Sequence, residues 1–488
     1  MSRHVKDLFS QTAIYGIGLF ANKAISFLLL PLYTYYFAPA ELGVFNIVQS
    51  VWLFVILIYI YGQETAFIKF FIDSRDDSEK KTVYSTTLIM LSASSLVFSA
   101  AFYFLTPSIS SLIKFEDSVL GIKLLRILAL LLFTDTLFRF PLLLLRAELD
   151  AKKYLYLTLL SVFVNVTANF TLIAGFGAGV EAIFYSYIIS VVVTFAAGIA
   201  VTARHIAFRF SFDTAKRLVL YGNKFIYIGL FILIIDISDR FFLKYFFSEE
   251  VVGIYSASYR LASVMSLLVA AFRFSWTPYF LNLEKNPENK KLVSEIFTYL
   301  VFAGLLMFLV FSFFTAPVVK ISFGNFSLLD ARYQSGLVII PIVLLAYFFS
   351  GLYSAMSVAP FYANRTGELF LTALFGFIAN IILNFLLIPK YGMTGAAGST
   401  LITYLIMLVY LYLRSQKIYK IDYETAKILV IAAFAGICYL LYFISSLCFG
   451  NSILIIISFI LIIFFIFSLN ISGAIKLTTV KSIFINRT

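Results

Sequence analysis

About fourteen long apolar stretches follow one another along the whole chain, separated by short polar segments. The clearest of them, 452–469, reads SILIIISFILIIFFIFSL and contains no charged residue. A helix needs about 20 apolar residues to cross the roughly 30 Å hydrocarbon layer of a bilayer, because each residue adds about 1.5 Å. Unbroken runs of this length differ from the alternating pattern of membrane β-barrels. The sequence therefore predicts an all-α, polytopic membrane protein with about fourteen transmembrane helices.

The composition supports this prediction. Hydrophobic residues make up 61% of the chain and charged residues 13%, whereas soluble domains have about 45–50% and about 25%. Little of the chain remains for a separate soluble domain. The predicted spans are 9–37, 43–70, 82–105, 119–148, 153–175, 178–203, 216–247, 251–282, 291–316, 336–363, 367–389, 393–413, 425–447 and 451–471.

The positions of lysine and arginine test this topology independently. With the N-terminus in the cytoplasm, most basic residues fall into the inner segments of the predicted topology and few into the outer loops. Basic residues in short loops remain on the cytoplasmic side, so this bias predicts that both termini are cytoplasmic. The net charge of +12 then reflects membrane topology, and we expect no nucleic-acid partner.

Two parts of the chain repeat each other. Asn165 and Asn169 precede Gly177 with the spacing that separates Asn380 and Asn384 from Gly392, an offset of 215. A weaker match joins 41–45 to 251–255 at an offset of 210. We therefore predict two six-helix lobes of one orientation, 1–212 and 213–420, with two further helices in 421–488. Parallel repeats surround an axis along the membrane normal, with the substrate site between them. The alternative is chance similarity between apolar segments.

The paired asparagines of each repeat lie four residues apart, on one face of a helix. Amides at this depth commonly form hydrogen bonds between helices. Contact with a substrate is the second interpretation.

Charged residues inside the predicted spans are the candidates for function. They are costly in hydrocarbon, so they face a protein interior or a wet cavity and often mark a transport pathway. The basic ones are Lys23, Arg126, Arg139, Lys224, Arg240, Lys244, Arg260 and Arg273. The acidic ones are Glu64, Asp135, Asp236 and Asp239, with Glu181 near an outer end.

Two interpretations of these charges remain open. Asp135 and Arg139, like Asp236 and Arg240, lie at i, i+4 and are placed to neutralise each other. Lys244 and Arg126 lie near the outer surface, where their long side chains can reach the interface.

The remaining cations have no such simple explanation. Lys23 lies in the middle of the first span, far from any acid. The 210-residue offset relates Arg273 to the neighbour of Glu64, so we predict that Arg273 and Glu64 face each other across one cavity. Cations between two helical lobes suit an anionic group such as diphosphate. The predicted substrate-binding residues are Lys23, Arg139, Lys224, Arg240, Arg260 and Arg273.

Two stretches resemble a known family. The first covers 15–45, with Tyr15-Gly-Ile-Gly18, Lys23, Pro31, Pro39 and Glu41-Leu-Gly43. The second, 384–404, contains Ile-Pro-Lys-Tyr-Gly-Met-Thr-Gly-Ala-Ala. Both are similar to the polysaccharide transporter family, the bacterial O-antigen and exopolysaccharide flippases of the superfamily that includes multidrug and toxin extrusion (MATE) transporters.

The resemblance implies a flippase of the bacterial inner membrane. Such proteins move undecaprenyl-diphosphate-linked oligosaccharides to the outer leaflet by alternating access, through a cationic cavity between two lobes, for surface polysaccharide biosynthesis. Membrane lipids, a polysaccharide polymerase and a chain-length regulator are the implied partners. Pro31 lacks an amide proton and is expected to kink the first helix, and in this interpretation it acts as a hinge.

No cofactor is expected, but the source of energy stays open. Glu64, Asp135, Asp236 and Asp239 are the candidates for a gate or for binding a coupling H⁺ or Na⁺. Each is equally suited to an ion pair.

Other functions were weighed against this one. A lipid II flippase shares the fold, and a cation-coupled multidrug antiporter would rely on buried acids, whereas bases predominate here. An enzyme such as a membrane glycosyltransferase would need catalytic residues in large external loops, and the longest such loop, 317–335, offers only Asp330. We therefore predict a transporter and no enzyme.

Overall fold

The computed structural model describes residues 16, 18, 20–21, 25–223, 226–281, 287–323, 326–363 and 365–475. Of the predicted site residues, Lys23 and Lys224 lie outside this part of the chain. Two compact units divide it: Met1–Ala257 with Asn384–Met393, and Ser258–Leu383 with Thr394–Thr488. The division falls within helices, and the predicted lobes with boundaries at 212 and 420 stay a prediction.

The first unit is built from helices that begin at caps or prolines. Pro39 occupies the first turn of α2, and Asp76, Asp117 and Asp150 accept hydrogen bonds at the N-termini of α4, α5 and α6, which satisfies amides that otherwise lack partners. The helices are α1 (Leu30–Tyr36), α2 (Pro39–Ile60), α3 (Gln63–Ile72), α4 (Asp77–Ile113), α5 (Ser118–Ala147), α6 (Ala151–Asn169), α7 (Ala182–Thr202), α8 (Phe212–Gly222), α9 (Ile226–Phe246) and α10 (Glu249–Ala262).

Short irregular helices extend two of these elements. A π-helix, Phe170–Gly175, continues α6, and a 3₁₀ helix, Ala203–His205, follows α7. Helices α3, α4 and α5 share an apolar core around Phe67, Tyr84 and Phe140. This core fixes α3 against α5, which carries the candidate residues Asp135 and Arg139.

The second unit contains the remaining elements. They are α11 (Val264–Leu281), α12 (Pro287–Val319), α13 (Ile340–Met356), α14 (Val358–Tyr362), α15 (Gly367–Ile418), α16 (Thr425–Cys448) and α17 (Asn451–Ile471). A two-residue antiparallel hairpin, Ser322–Phe323 with Phe326–Ser327, and a 3₁₀ helix, Ala331–Ile339, lie between α12 and α13. Helices α16 and α17, the two appended to the repeats, pack against each other and against α12.

Ten helices in the described part of the chain are long and apolar enough to cross a membrane, or eleven if the bent pair Glu249–Ala262 and Val264–Arg273 counts as one span. The prediction of a membrane protein with many helical spans is confirmed. The count of fourteen spans stays a prediction. Helix α15 joins two predicted spans across Gly392, whose φ of 55° interrupts the helix.

One predicted span contains two described helices, and residues 224–225 between them lie outside the described part of the chain. The sequence predicts a single helix over 216–247, but α8 ends at Gly222 and α9 begins at Ile226. Ala215, Leu218 and Gly222 form the buried face of α8, while Lys216 and Arg217 on the other face are exposed. This spacing is typical of an amphipathic surface helix, and α8 packs on α3 and α4.

Candidate functional site

Arg139 lies at the centre of a charged cluster in the first unit. Its Nη2 is 3.1 Å from Oδ2 of Asp135, one turn earlier on α5, and its Nη1 is 3.0 Å from Oε1 of Glu64 on α3. The pairing of Asp135 with Arg139 is confirmed. The partner of Glu64 in this cluster is Arg139, which sequence spacing does not show, and a cavity faced by both Glu64 and Arg273 stays a prediction.

The cluster is accessible. The side chains of Arg139 and Glu64 are 35% and 36% exposed, whereas that of Asp135 is 11% exposed. Its two carboxylates outnumber its single guanidinium, so the cluster carries one net negative charge. Whether Arg139 binds substrate stays a prediction.

A second charged cluster joins α9 to α10. The Asp239 carboxylate is fully buried, accepts a hydrogen bond from the Tyr255 hydroxyl, and lies 3.2 Å from Nη1 of Arg240. The same Nη1 donates to the backbone carbonyl of Asp236 at 2.8 Å. The sequence predicted a pair between the side chains of Asp236 and Arg240. Arg240 forms an ion pair with Asp239, its immediate neighbour, and the pairing of the Asp236 carboxylate with Arg240 stays a prediction.

Two predicted substrate-binding residues belong to the second unit. Arg273 is exposed on α11 and donates from Nη2 to the Ser354 hydroxyl of α13 at 2.8 Å. Arg260 is half-buried in the last turn of α10. Their roles in substrate binding stay predictions.

Pro31 lies beside an interruption of the first predicted span. Residues 25–28 are helical, Leu29 forms a turn, and Pro31 is in the first turn of α1. Proline suits this position because the first amides of a helix have no partner within it. A hinge motion at Pro31 stays a prediction.

Two of the repeated asparagines, Asn169 and Asn384, form hydrogen bonds between helices. The Tyr33 hydroxyl on α1 donates to Oδ1 of Asn169 at 2.9 Å, and Nδ2 of Asn384 donates to the Ser238 hydroxyl on α9 at 2.9 Å. In the second unit, Nδ2 of Asn380 donates to the Thr403 hydroxyl at 3.3 Å. These contacts support the structural interpretation of the asparagines.

Helices α2 and α10 cross at a reciprocal pair of glycines on the predicted outer side. A Cβ atom on Gly43 would lie 1.8 Å from the carbonyl oxygen of Glu249, and a Cβ atom on Gly253 would lie 1.9 Å from that of Pro39. Gly253 follows Gly43 by 210 residues, and Glu249 follows Pro39 by 210 residues. Each helix therefore places its glycine against the first residue of the other helix. Only glycine permits this approach.

Ion pairs surround this crossing. Nζ of Lys244 is 2.9 Å from Glu116 and 3.3 Å from Glu249, and only 9% of the lysine side chain is exposed. The Lys244 ammonium therefore reaches two carboxylates on the predicted outer side, and its position at the membrane interface stays a prediction. Arg126 stacks over the ring of Tyr103 at 5.2 Å, and Glu181 binds Lys123 at 2.7 Å.

A second close contact joins α3 to α8. Gly62 has a φ of 75°, and a Cβ atom there would lie 2.0 Å from the carbonyl oxygen of Gly222. Lys69 lies over the ring of Tyr221 at 5.2 Å, and Arg217 lies over the ring of Phe70 at 4.8 Å. This contact is on the predicted cytoplasmic side and was not foreseen, because 216–222 was assigned to a membrane span.

An apolar cavity of about 340 Å³ lies in the second unit. Helices α12, α13, α15 and α16 line it, with Leu305, Phe348, Leu408 and Ile428 among the lining residues. Its chemistry suits a hydrocarbon chain and offers no partner for a charged group.

The fold has several solved relatives. The lipid II flippase MurJ in an inward closed conformation is similar with a TM-score of 0.77 and 17% identity, covering 94% of this chain and 99% of that chain. An inward-facing multidrug resistance MATE family transporter of the MOP superfamily has a TM-score of 0.65 and 16% identity, covering 82% and 96%. A Vibrio cholerae MATE transporter has a TM-score of 0.58 and 15% identity, covering 84% and 96%. No curated protein matches the chain.

These similarities define a class of protein: a helical membrane protein with the fold of MurJ and the MATE transporters. Residues 36–326 match the polysaccharide biosynthesis protein family, and the chain belongs to that family. The predicted relationship to polysaccharide transporters is thereby confirmed. Its structural neighbours are transporters and flippases rather than enzymes.

Proposed function

We propose that this protein is a flippase for lipid-linked oligosaccharides, moving undecaprenyl-diphosphate-linked glycans across the bacterial inner membrane for surface polysaccharides such as O-antigen. The observation that carries the proposal is the combination of family and fold. The family is that of polysaccharide biosynthesis, and a structure of a lipid II flippase covers 94% of the chain.

The charged and apolar features described above fit such a substrate. Arginine binds phosphate groups through a planar fork of donors, and Arg139, Arg240, Arg260 and Arg273 supply four such groups in the predicted spans. The apolar cavity in the second unit has the chemistry to hold part of a polyprenyl chain. Both termini face the cytoplasm in this proposal, and Glu64, Asp135, Asp236 and Asp239 are candidates for an H⁺ or Na⁺ that drives transport.

A lipid II flippase is the second candidate, because the MurJ structure covers more of this chain than the two MATE structures do. The substrates of both candidates are diphosphate-linked polyprenyl glycans. Complementation separates them: we expect the gene to restore surface polysaccharide in a strain without its oligosaccharide flippase, and not to restore growth in a strain depleted of its lipid II flippase. The opposite result would assign lipid II as the substrate. Efflux of cationic drugs without either rescue would indicate an antiporter.

The anion-binding residues are tested in the same strain. We expect that replacing Lys23, Arg260 or Arg273 with alanine lowers surface polysaccharide while membrane abundance stays normal. The exposed Lys420, paired with Asp422 at 3.5 Å, is the control, and Lys420→Ala should leave the polysaccharide level unchanged. Normal polysaccharide in all three variants would refute the cationic receptor.

A further inference from the structure

The two carboxylates that bind Arg139 occupy different edges of its guanidinium. Asp135 contacts Nη2 at 3.1 Å and Nε at 3.4 Å, whereas Glu64 contacts Nη1 at 3.0 Å. A guanidinium has donors on both edges. An incoming anion can therefore replace one carboxylate while the other still holds the arginine in place.

The carboxylates also differ in how firmly they are held. Asp135 lies on the same helix as Arg139, and its side chain is 11% exposed. Glu64 is 36% exposed and lies in the first turn of α3, directly after Tyr61 and Gly62. These two residues have φ of 33° and 75° and separate α3 from α2. The Glu64 contact is the replaceable one, because the Glu64 side chain is the more exposed of the two and comes from a different helix than Arg139.

The charge of the cluster determines what an anion must do to bind. Glu64, Asp135 and Arg139 together carry one net negative charge. A phosphate group added to the intact cluster would meet two carboxylates, and like charges in contact repel each other. Binding is favourable only if a carboxylate leaves.

Release of Glu64 has a structural consequence. The same first turn of α3 holds α8, through the backbone approach of Gly62 to Gly222 and a hydrogen bond from Nε2 of Gln63 to the carbonyl of Leu218 at 3.4 Å. The ion pair between Glu64 and Arg139 joins the same turn to α5. Without that pair, the turn keeps only its contact with α8 and the adjoining core.

We propose that Glu64 is a built-in competitor of the substrate at Arg139. The diphosphate of the lipid-linked substrate replaces the Glu64 carboxylate at Nη1, and the released first turn of α3 loosens its contact with α8. Substrate binding on α5 is thereby coupled to a contact on the predicted cytoplasmic side. This inference rests on the proposed function, since it takes the substrate to carry a diphosphate.

Binding of short analogues to the purified protein tests the competition. The probes are farnesyl diphosphate, inorganic pyrophosphate and farnesol, which separate the anionic group from the chain. We expect Glu64→Gln to bind both diphosphates about tenfold more tightly than wild type, a difference of about 1.4 kcal/mol, because the substitution removes the competing charge. Arg139→Gln should lose this binding, and neither change should alter farnesol binding.

A matched ion pair provides the control. Glu368 binds Arg414 through two hydrogen bonds of 2.6 and 2.8 Å in the second unit, and Glu368→Gln should leave diphosphate affinity at the wild-type value. The same tightening in Glu368→Gln, or equal tightening for farnesol, would show an effect unrelated to Arg139 and would overturn the proposal.

Hydrogen–deuterium exchange measures the coupling. Farnesyl diphosphate should speed amide exchange in 62–72 and 212–222 of the wild type and have no effect on Arg139→Gln, while Glu64→Gln should exchange fast without ligand. If the wild type binds diphosphate but Glu64→Gln binds no more tightly, or if exchange does not respond, the inference fails and the proposed function stands. If the wild type binds neither diphosphate, the proposed function fails with it.

Discussion

At the scale of single residues, the intramembrane charges described here are mostly held by protein partners. Lys244 binds two glutamates, Arg139 binds Glu64 and Asp135, and Arg240 binds Asp239. Charges at bilayer depth are costly unless they are paired or hydrated. Arg139, Arg240 and Lys244 are therefore available to a substrate only by exchange of partners, which makes the identity of each partner as important as the cation.

The Asp135 carboxylate is expected to stabilise the folded state through Arg139. Asp135→Asn should lower the free energy of unfolding by about 1–2 kcal/mol, because a charge-assisted hydrogen bond is replaced by a weaker neutral one. Thermal unfolding in detergent measures the change. Asp422→Asn, at an exposed ion pair with Lys420, is the control and should change stability little. Equal stability of Asp135→Asn and wild type would mean that the pair contributes nothing.

Glu116 makes a pH-dependent contribution on the predicted outer side. Its hydrogen bond from Lys244 lowers the pKa of the Glu116 carboxyl below its usual range. The contribution to stability is therefore fully present above the unfolded pKa of about 4.3 and is lost as the pH falls through the folded pKa. Since the Glu116 side chain is 53% exposed, we expect a contribution of less than about 1 kcal/mol.

Unfolding of the wild type and Glu116→Gln across pH 3–7 tests this sign. The difference between the two proteins should be largest near neutral pH and should shrink as the pH falls below about 4. A difference that grows on acidification would contradict the assignment.

At the scale of secondary-structure elements, two helix contacts depend on glycine. Gly43 and Gly253 allow α2 and α10 to cross, and Gly62 allows α3 to approach α8. In both places a carbonyl oxygen lies where a side chain would begin, so the distance between the helices is set by the absence of Cβ. These contacts lie on opposite predicted sides of the membrane.

Gly43→Ala is expected to separate α2 from α10. The added Cβ atom would lie 1.8 Å from the Glu249 oxygen, so the backbones must move apart and the surrounding ion pairs weaken. We expect a lower melting temperature and faster amide exchange in 39–45 and 249–255. Gly253→Ala should behave alike, because the crossing is reciprocal.

Gly436→Ala is the matched control. Gly436 lies within α16, and a Cβ atom there meets nothing within 4 Å. Alanine should stabilise this helix by about 0.5–1 kcal/mol. If Gly43→Ala also stabilised the protein, this result would contradict the close approach of α2 and α10.

At the scale of the whole molecule, the internal repeat extends beyond the two motifs in the sequence. Arg204 binds Glu148 at 3.1 Å, and Arg414, 210 residues later, binds Glu368 at 2.6 Å. In the first repeat the glutamate follows α5 and the arginine follows α7, and in the second repeat both residues lie on α15, in its first turn and near its end. The arginines and the reciprocal glycines have an offset of 210, the asparagines one of 215 and the glutamates one of 220, and offsets this similar favour duplication over chance similarity.

The asparagine contacts should contribute similarly in both repeats. Asn169→Leu and Asn384→Leu each remove a hydrogen bond between buried helices, worth about 0.6–2 kcal/mol in membrane proteins. Because the two bonds involve different partners, Tyr33 and Ser238, the losses should add in the double variant. Thermal unfolding of the single and double variants measures this. A loss confined to one repeat would show that the asparagines differ in role.

Much of the fold was predictable because hydrocarbon imposes a simple rule. Spans such as 425–447 and 451–471 agree closely with Thr425–Cys448 and Asn451–Ile471, since length and apolarity alone select them. The rule fails where polarity is intermediate. The sequence predicts one span for α8 and α9, because an apolar helix face has the same pattern whether it packs on protein or on lipid. In the structure, the apolar face of α8 packs on α3 and α4.

The sequence by itself determined the class of the molecule and the pairing of charges within one helix, because these depend on composition and on spacing along one helix. The i, i+4 pair of Asp135 and Arg139 is of this kind. Only the tertiary structure decided that Glu64 joins that pair from α3 and that Gly43 meets Glu249. Such contacts link residues 75 and more than 200 positions apart, and they follow from which helices pack together, which no local pattern encodes.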